Sequence, residues 1–69
     1  MIKVGARVSE RYDHLYETFG KRHGFAKARG TVTEVDQADG TLFVVWDDGD
    51  AEAAGVGAYY RESELEVVS

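Results

Sequence analysis

The sequence predicts a mainly β domain of five short strands, with one short helix between the first two. Three observations carry that expectation. Apolar and polar residues alternate over several stretches of six or seven residues, the period of a strand with one buried face. Eight glycines and no proline punctuate those stretches, which suits tight turns between short strands. One segment, 9–20, leaves period two for a helical spacing.

In "IKVGARV", Ile2, Val4, Ala6 and Val8 fall on one face and Lys3, Gly5 and Arg7 on the other, so residues 2–8 read as the first strand. Tyr12, Leu15, Tyr16 and Phe19 then stand at i, i+3, i+4 and i+7. That spacing makes one apolar face of a helix over 11–19, with Ser9 as its N-cap and Gly20 just past its end. About nine residues do not persist as a helix alone, so this face is expected to cap the sheet or to reach a target.

"GTVTEVD" at 30–36 is β-branched and reads as the second strand. Its apolar pair, Val32 and Val35, is three apart, which breaks alternation and predicts a bulge. "ADG" at 38–40 is a turn, with Gly40 free to take positive φ. "TLFVVWD" at 41–47 is the strongest strand, with Leu42, Val44 and Trp46 on one face and Thr41, Phe43, Val45 and Asp47 on the other. Asp48-Gly49 is a favoured two-residue hairpin turn, and "AEAAGV" at 51–56 reads as the return strand. Residues 62–68 end the set, with Leu65 and Val67 on one face and Glu64 and Glu66 on the other.

Sixty-nine residues allow a single domain over 1–69, with the helix and a basic loop forming an insert at 10–28. With no cysteine, neither disulfides nor thiolate metal sites can staple it, and packing has to suffice. One tryptophan, four tyrosines and three phenylalanines suit a small core. No apolar run approaches the ~20 residues of a membrane helix. The opening residues carry no secretion-signal pattern. A soluble cytoplasmic protein with no membrane partner is therefore expected.

Charge is unevenly spread. "KRHGFAKARG" at 21–30 holds four cations and no acid, which leaves −9 on the rest of a chain whose total is −5. Residues 34–66 set ten acids against a single cation, Arg61. A basic loop thus stands on an acidic body.

The stretches "GTVTEV" (30–35), "GTLFVVWDDG" (40–49) and "YYRESELEVV" (59–68) resemble SH3-like barrels of the Tudor, KOW and Mib/Herc2 type, including small phage-encoded SH3-like proteins. The likeness covers about residues 1–9 and 29–68 and leaves the insert unaccounted for. It implies a five-stranded SH3-like barrel acting as a binding module, not an enzyme, with no cofactor. Fold alone does not fix function.

Four groups of residues are candidates for a role. The acids Asp47, Asp48, Asp50 and Glu52 lack the spacing of a calcium loop and read as turn residues on an acidic surface. His14 and His23 have no third ligand at metal-like spacing, so no metal site is expected. Phe43 and Val45 are apolar on the face opposite the core, where they are either covered by the helix or exposed as a contact patch. Trp46, Tyr59 and Tyr60, with Tyr12 or Tyr16, are either core residues or an aromatic cage of the Tudor kind for a methylated cation.

The fourth group is the basic loop. Lys21, Arg22, Lys27 and Arg29 with Phe25 combine cations and an aromatic as single-strand nucleic-acid binders do, against the opposing field of the acidic body. The leading expectation is protein–protein contact through Phe43, Val45, Asp47, Asp48, Asp50, Glu52, Glu62 and Glu64. Its concrete form is a phage or mobile-element accessory protein, a monomer or small homo-oligomer, that modulates or inhibits a nucleic-acid-handling host machine by charge complementarity. The alternative is direct nucleic-acid binding by the loop at 21–29.

Overall fold

A computed structural model describes residues 2–47 and 57–68. Its five described strands are β1 (Arg7–Glu10), β2 (Gly30–Asp36), β3 (Thr41–Trp46), β4 (Gly57–Arg61) and β5 (Leu65–Val67). They form one antiparallel sheet in the order β4-β3-β2-β1-β5. The mainly β class is as the alternation predicts.

The sheet is strongly curled, and chain length shows why. Only the 3-10 turn Glu62–Glu64 joins β4 to β5, yet these strands are its two edges. Four strand spacings on a flat sheet would separate them by about 19 Å. The four steps from Arg61 to Leu65 reach at most about 14 Å when extended, and less in a 3-10 turn. The bend falls on β2, whose register with β3 shifts between Val32 and Glu34. The Val32/Val35 spacing is the trace of that bulge. No ladder pairs β4 with β5 among the described residues, so hydrogen bonding leaves the sheet open.

Side chains reach across the opening instead. Nε1 of Trp46 donates to the Tyr60 hydroxyl at 3.2 Å, and that hydroxyl donates to the Glu10 carboxylate on β1. The turn between β4 and β5 is held as well: backbone N–H of Arg11 donates to the Glu64 carbonyl at 2.9 Å, beside the β1–β5 ladder, and that of Ile2 to Glu62 Oε1 at 3.1 Å. The core inside the curl is Ile2, Val8, Val32, Leu42, Val44 and Leu65, with Ala6, Val35, Trp46 and Tyr60 packed against it.

The first strand is shorter than its alternation suggests. Gly5 takes φ of 92° and a turn precedes β1, so Val4 swings out to 61% exposure while Ile2 and Val8 stay buried. Tyr59 and Tyr60 lie within β4, and the return strand expected at 51–56 lies outside the described residues. At the end of the chain, residues 62–64 turn before β5, and Val67 is exposed while Leu65 is buried.

The helix expected over 11–19 does not form. A widened π turn, Tyr16–Gly20, takes its place, closed by the Lys21 N–H on the Tyr16 carbonyl at 2.7 Å. Ser9 is no N-cap: it sits buried in β1, its hydroxyl 3.3 Å from Glu66 Oε1. A segment this short gains too little from its own hydrogen bonds to stay α-helical. Its ends are fixed instead by longer-range bonds, including Phe25 N–H on the Gly20 carbonyl at 2.8 Å.

Candidate functional site

The apolar residues of the insert are the largest departure from expectation. Leu15 is 70% exposed, Phe25 59% and Phe19 48%. With Tyr16, Gly20, Ala26, Ala28 and Asp13 they line an open groove of about 580 Å³. Exposed apolar side chains gathered in one concavity mark a contact surface more often than scattered ones do.

The groove is a built feature. Phe19 stacks on His23 with ring centroids 4.2 Å apart and lies 6.0 Å from Phe25. Gly20 lies at its base, where a Cβ would come 3.2 Å from Tyr16 Cδ1 and in ordinary contact with Phe25 Cβ, so the Tyr16 ring packs closely over it. Gly24, at φ 76°, reverses the chain so that Phe25 returns beside Phe19. Asp13 Oδ1 accepts the Tyr16 N–H at 3.2 Å and fixes the entry to the turn.

Lys27 fastens the insert to the sheet. Its ammonium donates to the carbonyls of Glu10 and Arg11 at 3.2 and 3.1 Å and to Glu66 Oε1 at 3.3 Å, and stands 5.6 Å over the Tyr16 ring. The Lys27 hydrogen bond holds the Glu66 carboxyl below the usual range. Lys27 is thus turned inward, away from any phosphate. Lys21 lies 3.8 Å from Glu17, Arg22 and Arg29 are exposed, and Phe25 is one wall of the groove. Of the five basic-loop candidates, Lys27 is thus engaged with the sheet and Lys21 lies beside Glu17.

The acidic candidates are also partly engaged. Arg7 makes a two-point ion pair with Asp47, one arm at 2.8 Å, and donates to Thr31 Oγ1 at 2.7 Å. That hydrogen bonding holds the Asp47 carboxyl below its ordinary value. Glu64 accepts the Arg61 N–H at 2.8 Å, and Glu62 accepts from Ile2. Asp48, Asp50 and Glu52 lie outside the described residues.

Phe43 and Val45 point away from the core, as the alternation requires, and both are half-buried. Phe43 meets Tyr59 edge-on at 4.7 Å and lies over Gly57, where any Cβ would collide with its ring. Val45 sits between Thr31 and Gly57 in the ladder. Neighbouring strands thus cover part of both side chains. The three cage candidates do not converge. Trp46 and Tyr60 meet edge-on at 5.6 Å against the core, whereas Tyr59, next along β4, packs with Phe43 on the opposite face.

The residues that sequence reasoning left out of any site are Leu15, Phe19, Ala26 and Ala28. The first two stand on the apolar face of the expected helix, which the sequence leaves either capping the sheet or reaching a target. The available signal was the shortness of the segment, which cannot support the helix that would bury them. Among the described residues no helix is long and apolar enough to cross a membrane. No family model, no curated protein and no solved structure matches this chain, so the resemblance to SH3-like barrels rests on its motifs alone.

Proposed function

We propose that this chain is a small SH3-like barrel that works without catalysis, as a module binding another protein through the groove of its insert. The curled five-strand sheet, with its edges joined by three residues and bridged by Tyr60 and Glu10, supports the barrel reading. The observation that carries the function is the outward apolar groove of Leu15, Phe19 and Phe25 on a chain otherwise rich in charge. A protein supplies the apolar side chains that such a groove takes.

This reading puts the contact on the insert instead of on Phe43, Val45 and the acids at 47–52. It is favoured over nucleic acid because Lys27 is spent on the sheet and the groove walls are apolar. Selection of a random 12-residue peptide library on the immobilised protein tests the reading. Enriched peptides that lose binding to Leu15→Asp support it. Leu15 is 70% exposed, so the variant is expected to keep its fold. No enrichment, or enriched peptides indifferent to Leu15→Asp and Phe25→Ser, would contradict it.

A further inference from the structure

The same groove carries a statement about its partner's chemistry, which rests on the reading above. Asp13 is the one charged side chain in its lining, which is otherwise aromatic, aliphatic or glycine. The Asp13 side chain is half-buried, and its Oδ1 accepts the Tyr16 N–H at 3.2 Å. It forms no ion pair among the described residues. Three cations of the insert act on other acids: Lys21 lies beside Glu17, and Lys27 and Arg11 both act on Glu66. Further acids lie close to Asp13. Burial, then repulsion from Asp13 and Glu64, raises the Glu10 carboxyl pKa, so the Asp13 end of the groove is electronegative.

An occupant that seats apolar side chains in the groove also takes water from Asp13. A carboxylate covered without a counter-charge costs binding energy. We propose that the groove takes an amphipathic segment of a partner protein that carries an arginine or a lysine, with its apolar side chains against Leu15, Phe19 and Phe25 and its cationic head on the Asp13 carboxylate. The long apolar stem of such a cation suits walls of this kind. An acidic segment, or the phosphates of a nucleic acid, would set like charge against Asp13. A second copy of this chain would approach with the same net charge of −5.

Three synthetic peptide sets test this on the full chain by fluorescence anisotropy. They share leucine and phenylalanine at the same positions and differ only in the residues between: arginine and lysine, glutamate and aspartate, or serine and glutamine. In low salt the basic set is expected to bind about tenfold tighter than the neutral set, the scale of one hydrogen bond to a charged group, with the acidic set weakest. Raising the salt should shrink that preference, since exposed charges are screened. Asp13→Asn keeps an oxygen for the Tyr16 N–H and removes the charge. It should bring the basic set down to the neutral set and leave the neutral set no weaker. Leu15→Ser with Phe25→Ser should weaken all three.

A basic preference that survives Asp13→Asn would overturn the inference, because the attraction would then come from the acidic body at large. A neutral or acidic set that binds as tightly as the basic one would also overturn it. In either case, weakening by the double serine variant leaves the groove reading standing. Binding that this variant leaves unchanged, or failure of all three sets, would overturn both. A dimer seen by light scattering and broken by the double variant would assign the groove to a second copy. Binding of a labelled single-stranded DNA that the double variant abolishes would assign it to nucleic acid. Either result would overturn the inference.

Discussion

The ammonium of Lys27 lies 3.3 Å from Oε1 of Glu66, and the same ammonium holds the carbonyls of Glu10 and Arg11. One side chain thus ties the end of the insert to the end of β1 and to β5. Lys27→Met keeps the stem and removes the charge, leaving the two carbonyls without this donor. It should destabilise the fold by about 1.5–3 kcal/mol, the range for hydrogen bonds made by a charged group. Urea unfolding measures it. An unchanged midpoint would mean that the insert is held by other contacts.

Glu66 and Asp47 have lowered carboxyl pKa values, from the hydrogen bonds of Lys27 and Arg7 respectively. A lowered folded-state value means stability that is present above the ordinary carboxylate range and is lost as pH falls through the lowered one. The wild type should therefore lose stability as it is acidified below about pH 4.5. Lys27→Met should lose less over the same range. Parallel stability–pH curves for the two proteins would contradict the Glu66 assignment.

Glu10 has the opposite sign. Burial, followed by repulsion from Asp13 and Glu64, raises its pKa despite the Tyr60 hydrogen bond. The raised value favours the protonated form in the fold, so its contribution is full at low pH and erodes as pH climbs through the raised value. Glu10→Gln mimics the protonated group and can still accept from Tyr60. Its stability relative to wild type should rise between about pH 4 and pH 7, read from thermal midpoints across a pH series. A difference that stays constant with pH would remove Glu10 from this role.

Gly30 fills a position in β2 where backbone and side chains leave no room for a Cβ. One placed there would lie 2.6 Å from Val44 Cγ1 and 2.8 Å from both Trp46 Cε3 and the Val45 carbonyl oxygen. Gly30→Ala should cost about 1–3 kcal/mol by overpacking, visible as a lowered melting temperature and a shifted Trp46 emission. A neutral substitution would mean that β2 and β3 are not packed this closely.

Much of the sheet was legible in the sequence because its cause is local. Leu42 and Val44 face inward by period two, and the Val32/Val35 spacing marks the bulge that bends β2. Gly40 turns with φ of 69° where "ADG" stands. The first strand was overdrawn because Ile2, Val4, Ala6 and Val8 alternate through a turn that Gly5 alone signals. The insert was misread for a related reason. Helical spacing reports where side chains point if a helix forms, and it says nothing of whether so short a helix is stable. The role of Lys27 left no local trace at all, since its partners are backbone carbonyls 16 and 17 residues away and a carboxylate 39 away.

We propose that the insert presents its apolar groove to a partner protein. The most direct measurement is a titration of the ¹⁵N-labelled protein with the tightest peptide from the library selection, followed by amide chemical shifts. Leu15, Tyr16, Phe19, Gly20, Phe25, Ala26 and Ala28 should move together and saturate together, while Phe43, Val45 and Tyr59 hold still. Shifts centred on Phe43, Val45 and Tyr59, with the insert unmoved, would contradict it and return the contact to the outer face of the sheet.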